Sequence, residues 1–355
     1  MGSQNLIALL ISKRLIMTFA KTLDYKIDST LRSRMGEAAY LKAIDQQQEI
    51  SEQEYNLVKY LAEFAVRPLF RTPIHKTPAD HGMETWEDIY FPSSDGTPLE
   101  GWYIPSAQGE SDQLIMINHP MPMSRSGFTG HLGQPFSAVD TLEIDFVAHM
   151  GHLSKAGYNL LAYDLRNHGN SGAANGGICG IGRYEWRDCV GAKQYVDHHP
   201  KLSKMKLGLY SRCTGGNAQF EAMQRHPELF DDVLCFFGPL VVSMTALMTC
   251  FAKLMGVENY MELMDLEQLK LGGFTNGEMH PQDYAHAVTV PYFMAQVIDD
   301  IWTDNPRDAQ EIFDNVSAEH KELFWIEGTN RRFDGYNYFG LYPERMISFF
   351  NQYMQ

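Results

Sequence analysis

From about residue 87 onward, short runs of apolar residues alternate with longer stretches in which apolar residues recur at helical spacing. The stretch DIYFPSSDGTPLEGWYIP, from Asp88 to Pro105, predicts two strands around a turn at Asp95-Gly96. Buried strands are predicted at Gln113–Asn118, Asn159–Asp164, 206–210, Val233–Gly238, Pro291–Ile298 and Glu322–Gly328. Between them the pattern predicts helices over 138–156, stopped by Gly157, over 185–196, and over 343–354 at the end of the chain. Strands apolar on both faces and alternating with helices imply a parallel sheet covered on both sides, an α/β architecture. In such sheets chemistry gathers in the loops at the carboxyl ends of the strands.

Two regions depart from this alternation. The first eighty or so residues are rich in helix formers, and SEQEYNLVKYLAEFAV begins with Ser51 and has Glu54 three positions on, a capping-box signature. Residues 1–86 are read as a helical extension packed on the main domain, serving as a homodimer contact or a substrate lid. Between the strands at 233–238 and 291–298 lies an insertion, residues 241–290, helical in pattern and carrying Met244, Met248, Met255, Met261 and Met264. Methionine adapts to irregular apolar shapes, as a cap over a hydrophobic ligand would require. The core is thus expected in two parts, 87–240 and 291–355.

Charge and cysteine content narrow the partners. A net charge of -15 argues against nucleic acid or an anionic membrane. Five cysteines with no CxxC pair fit a reducing compartment, so a cytoplasmic location is expected. The apolar run in MGSQNLIALLISKRLIMTFA is broken by Lys13 and Arg14, too short for a membrane span and poorly built for a secretory signal. Gly176 to Gly182 lacks the spacing of a dinucleotide fingerprint, and His198-His199 lacks further ligands, so no cofactor and no metal are expected.

The candidate chemistry centres on LGLYSRCTGGNAQF, Leu207 to Phe220, where an apolar strand meets small residues and turns helical. A nucleophile at such a bend is pushed out of the sheet, and the following helix directs its free N–H groups and positive dipole end at it. The turn demands small neighbours two residues to either side, and Ser211 and Gly215 meet that demand around Cys213. A thiolate at Cys213 would be favoured by the helix end, with the backbone N–H groups of Thr214 and Met121 as oxyanion donors.

With NHPMPM (Asn118 to Met123), DLRNHGNSG (Asp164 to Gly172), SRCTGG and DDIWTD (Asp299 to Asp304) in this order, the chain from Asp88 onward resembles an α/β-hydrolase. The resemblance implies that fold, a doubly wound, mostly parallel sheet with a helical cap, and catalysis by a nucleophile, an acid and a histidine. Cys213 stands at the nucleophile position, and Asp300 best matches the acid, with Asp299 and Asp304 as alternatives. The pattern then breaks, because the loop after the last strand reads IEGTNRRFDGYNYF and no histidine follows His320. The matching position falls at Asn330 or Arg331, with Arg331 preferred, and an arginine cannot collect a proton.

Three readings follow. Cys213 acts as a thiolate held by Arg331 and the helix end, forming an acyl-enzyme that suits acyl transfer or cyclisation; or a base arrives from His280, His286 or His131; or the pocket binds or cyclises without a covalent intermediate. The first is preferred, on a small apolar acyl ester, thioester or polyketide-like substrate. His119, Met244, Met248, Trp302 and Tyr336 are the expected substrate contacts.

Overall fold

The computed structural model of the chain describes residues 26–354. The segment 1–20, read above for targeting, lies outside the described residues. Eight strands form one sheet in the order β1-β2-β6-β3-β7-β8-β9-β10. These are β1 (Glu87–Pro92), β2 (Pro98–Ile104), β3 (Gln113–Asn118), β6 (Asn159–Tyr163), β7 (Lys206–Ser211), β8 (Val233–Phe237), β9 (Tyr292–Val297) and β10 (Lys321–Ile326). The β1–β2 hairpin and the β2–β6 pair are antiparallel, and every pair from β6 to β10 is parallel. The expected strands therefore form within one or two residues of their predicted ends.

The helix expected over 138–156 forms only from Phe146, as α4 (Phe146–Lys155). Upstream, β5 (Glu143–Asp145) pairs with β4 (Gly127–Thr129) in a small antiparallel hairpin. The Asp145 side chain then caps α4 by accepting the Ala148 N–H at 3.0 Å. Strand pairing and a good N-cap fix the boundary where apolar spacing alone suggested an earlier start.

Apolar side chains fill both faces of the sheet. Tyr210, Phe237, Phe293 and Phe350 are buried on one side, and Leu209, Phe220, Phe236 and Tyr292 on the other. Helices α5 (Trp186–His198), α6 (Thr214–Arg225), α10 (Arg307–Asn315), α11 (Arg332–Leu341) and α12 (Glu344–Tyr353) contribute to this covering.

Between β8 and β9 stand α7 (Met244–Met255), α8 (Met261–Lys270) and α9 (Gln282–Ala285). Gly256, at φ 71°, ends α7 in the left-handed conformation and separates it from α8. Met244, Met248 and Met264 are buried in this insertion, in the same apolar cluster as Cys213.

Before the sheet come α1 (residues 26–35), α2 (Glu37–Glu49) and α3 (Glu52–Val66). The capping box forms, with Ser51 and Glu54 satisfying each other's backbone N–H. Helices α2 and α3 pack on α7 and α8 of the insertion. The Tyr55 hydroxyl donates to Glu267 at 3.0 Å, and Lys42 pairs with Glu262 at 2.5 Å. The strand-less segment that follows crosses to the sheet, where the Thr72 hydroxyl donates to the Pro122 carbonyl at 2.7 Å. Among the described residues, no helix is long and apolar enough to cross a membrane.

Candidate functional site

Three loops at the carboxyl ends of neighbouring strands meet at Cys213. The residue sits between β7 and α6 at φ 47° and ψ −117°. A non-glycine residue held at positive φ costs of order 1–3 kcal/mol, so its surroundings must over-determine it. The Cys213 N–H donates to the Pro239 carbonyl at 3.1 Å, and the Gly215 N–H donates to the Arg212 carbonyl at 2.8 Å. A Cβ on Gly215 would lie 2.0 Å from Asn118 Oδ1, and one on Gly216 would lie 2.7 Å from Val241 Cγ2. The demand for small residues around the bend is thus met by contacts with the neighbouring strand ends.

The loop after β3 lies against the elbow. The Met121 N–H donates to the Thr214 hydroxyl at 3.4 Å. Thr214 is the first residue of α6, where a helical N–H has no intrahelical partner. The two expected oxyanion donors are therefore brought together. His119 is not a substrate contact: it is 1% exposed, and both ring nitrogens are spent. Its Nδ1–H donates to the Pro120 carbonyl at 2.9 Å and its Nε2 accepts the Leu165 N–H at 3.0 Å, partners that set the tautomer. Burial pushes its pKa down to about 4, so it is a neutral strut of the loop. Asp164 performs a similar task for the loop after β6, accepting N–H groups from Arg125 at 2.7 Å and Asn170 at 3.0 Å.

The acid and its partner come from the ends of β9 and β10. Asp300 is 4% exposed; its Oδ1 accepts the Trp302 N–H at 2.9 Å and its Oδ2 accepts Arg332 Nη1–H at 2.8 Å. Asp299 is exposed and Asp304 pairs with Arg307. The sequence alignment needs a correction of one residue here. Arg331 precedes α11 in an extended conformation and turns its side chain out to Asp140, at 2.5 Å. Arg332, the first residue of α11, faces inward, is fully buried and donates also from Nε to the Tyr336 hydroxyl at 3.1 Å and from Nη2 to the Leu240 carbonyl.

Around the sulfur, the Thr214 hydroxyl lies at 4.0 Å. Tyr336, expected as a substrate contact, is buried, and its hydroxyl accepts from Arg332 Nε–H at 3.1 Å. Burial, the largest influence on the Tyr336 phenol, pushes its pKa well above 10, so it keeps its proton. Burial disfavours the charge on Arg332, and its ion pair with Asp300 at 2.8 Å holds the guanidinium charged. No imidazole among the described residues hydrogen-bonds to the sulfur. His131 and His286 are exposed, and His280 sits 3.6 Å from Asp283. Met244 and Met248 lie in the same large apolar cluster as Cys213, and Trp302 is half-buried against that cluster. Among the described residues, no cluster of His, Cys, Asp and Glu has the arrangement of a metal site.

Sequence reasoning missed the support beneath the elbow. Arg212 is buried with its guanidinium 3.6 Å from the Tyr210 ring centre and 4.2 Å from that of Phe146. No carboxylate among the described residues pairs with it, and Nη1 donates to the Asn118 carbonyl at 3.2 Å. It thereby ties the end of β3 to the elbow, and burial pushes its pKa down. The available signal was a charged residue inside an otherwise apolar and small stretch.

No family model matches the chain, and no curated protein matches it by sequence. Solved structures do match. The esterase Pf2001 of Pyrococcus furiosus superposes with a TM-score of 0.59 at 18% identity, covering 82% of this chain and 98% of that one. The α/β hydrolase GrgF from Penicillium sp. sh18 gives 0.50 at 16% identity, over 76% of this chain and 99% of that one. The acylaminoacyl peptidase of Pyrococcus horikoshii gives 0.51 at 15% identity, over 78% of this chain and 43% of that one. With the sheet order and the positive-φ bend after β7, these likenesses establish that the chain has the α/β-hydrolase fold.

Proposed function

We propose that the chain is an enzyme of acyl-group chemistry in which the Cys213 sulfur attacks the carbonyl carbon of an apolar ester, thioester or polyketide-like substrate. The observation that supports this reading is the strained strand-to-helix bend that holds Cys213 at φ 47° immediately before the N-terminus of α6. The thiolate donates its electron pair to the carbonyl carbon, forming a C–S bond, and the carbonyl oxygen becomes an oxyanion. That oxygen takes the place of the Thr214 hydroxyl on the Met121 N–H and accepts also from the Thr214 N–H. The tetrahedral carbon then expels the alkoxide or thiolate, which leaves with the bonding pair and is protonated by solvent.

Asp300 fixes the Arg332 guanidinium, which with the Tyr336 hydroxyl stabilises the anionic sulfur. Met244, Met248 and Trp302 supply apolar walls. Neither Arg332 nor Tyr336 can take a proton from water. Hydrolytic release is therefore slow, and the acyl group passes to a hydroxyl or amine carried by the substrate, in transfer or cyclisation. The new C–O or C–N bond forms as the C–S bond breaks, the sulfur leaves as the Cys213 thiolate with the bonding pair, and the nucleophile's proton goes to solvent. The absence of an imidazole at the sulfur among the described residues favours one rival, a pocket that binds or cyclises its ligand with no covalent intermediate.

Intact-mass measurement after incubation with p-nitrophenyl hexanoate separates the two. The expected result is a single acyl adduct that persists after the free ester is removed, is absent in Cys213→Ser, and is released faster in Arg332→His. An unmodified protein under conditions that label Cys213 with iodoacetamide overturns the covalent reading.

A further inference from the structure

Between α3 and the sheet, residues 67–77 run as a strap with neither helix nor strand, so its polar groups must bond outside the strap. They converge on the loop after β3. The Thr72 hydroxyl donates to the Pro122 carbonyl at 2.7 Å, the Ser124 hydroxyl donates to the Pro73 carbonyl at 3.3 Å, and the His75 N–H donates to the Ser126 hydroxyl at 3.2 Å. The His75 ring adds a fourth tie, with Nδ1 at 3.0 Å from the same hydroxyl. Thr72, Ser124 and Ser126 are fully buried, so these bonds are not shared with water. Arg71 extends the strap's hold to the loop after β6, donating to the Ser171 carbonyl at 2.6 Å.

The loop so gripped is the one that brings the Met121 N–H to within 3.4 Å of the Thr214 hydroxyl at the elbow. From the protein interior it is held through His119, which accepts the Leu165 N–H, and through the Arg125 N–H, which donates to Asp164. The strap supplies the opposite jaw, and its shortest bond falls on Pro122, the residue next to Met121. We infer that the strap positions the Met121 N–H, with Thr72 as the positioning residue, so that the segment before the sheet serves the oxyanion site. The inference rests on the acyl chemistry proposed for Cys213. Thr72 acts only through the loop. Valine has the shape of threonine without the hydroxyl, so Thr72→Val leaves the buried Pro122 carbonyl without its donor and frees the loop to shift. A displacement of about 1 Å, caused far from the reacting atoms, can cost about a hundredfold in rate.

The effect has a chemical signature. Acylation places negative charge on the carbonyl oxygen and draws on the Met121 N–H, whereas iodoacetamide loses iodide from a saturated carbon and forms no oxyanion. Both reactions are read at Cys213 by peptide mass. Thr72→Val is expected to slow acylation by p-nitrophenyl hexanoate about tenfold or more, with alkylation by iodoacetamide within about twofold of the unaltered protein. Thr72→Ser, which restores the hydroxyl, should recover most of the acylation rate. Amide hydrogen exchange over 119–126 should quicken in Thr72→Val and not in Thr72→Ser, with α12 unchanged in both. His75→Phe loosens the strap at half-buried His75, should give the same pattern at smaller size, and decides the outcome if Thr72→Val does not fold. Unchanged acylation in these variants overturns the inference, as does a joint fall of acylation and alkylation with faster exchange throughout the protein. If the unaltered protein is alkylated but never acylated, the acyl reading fails separately. Faster exchange confined to 119–126 then still assigns the strap to the loop, and unchanged exchange there refutes it.

Discussion

Replacing Arg332 by methionine removes the cation between Asp300 and Tyr336 while keeping a side chain of similar length. The guanidinium is 1% exposed and the Asp300 carboxylate 0%, so water does not screen the pair. Without Arg332, Asp300 retains the Trp302 N–H at 2.9 Å but no opposite charge at the site. Breaking a buried ion pair from one side costs about 3–5 kcal/mol, because the remaining charge stays buried and uncompensated. Asp300→Asn alone should cost a similar amount for the mirror-image reason.

The double variant Asp300→Asn/Arg332→Met removes both charges and keeps an oxygen that accepts the Trp302 N–H. It should therefore lie within about 2 kcal/mol of the unaltered protein, whereas simple addition of the single losses gives about 6–10 kcal/mol. Urea unfolding followed by far-UV circular dichroism reads all four proteins, with unchanged transition slopes as the check that midpoints report stability. If the double variant loses the sum of the singles, the two residues are not an isolated buried pair, and Asp300 cannot be the group that holds Arg332 in place.

Two further outcomes follow from the packing and the charges. Gly215→Ala places a methyl 2.0 Å from Asn118 Oδ1 and should cost about 1–3 kcal/mol, less in an Asn118→Ala background; an equal cost in both refutes the clash. Half-buried Asp265, which accepts the Asn276 N–H and amide at 2.8 and 2.9 Å, has its carboxyl pushed up to about 6 by burial. Its folded form thus holds a proton more tightly than the unfolded chain, so its contribution is present near pH 4 and is lost as pH rises through 6. Asp265→Asn should stabilise the protein near pH 8 by at most about 3 kcal/mol, at 1.36 kcal/mol per tenfold, with the gap closing near pH 4 in thermal melts.

The strands were legible because each is a short apolar run bounded by turn residues, and burial on both faces leaves little choice of register. The elbow was legible for a steric reason that Gly215 and Gly216 make visible. Arg331 against Arg332 was harder, because both are arginines and one residue decides which faces inward. Arg332, Tyr336 and Phe339 do share a helical face (spacings of four and three) and are all buried, so the apolar face of α11 contained the answer. The β4–β5 hairpin was not legible, since three-residue strands carry too few positions to show a period. Nor did any local pattern place Phe64 beside Phe251, a contact made between segments far apart in the chain.

That distance has a consequence for biogenesis. Tyr55 of α3 finds its partner in Glu267, 212 residues later. At a synthesis rate of about 5–20 residues per second, the segment waits roughly 10–40 s before the surface it packs on has been made. During that interval the side of α3 that packs on α7 and α8 lacks its native partner. Helices α2 and α3, which precede the sheet in the chain, thus complete their docking only after α7 and α8 have been made.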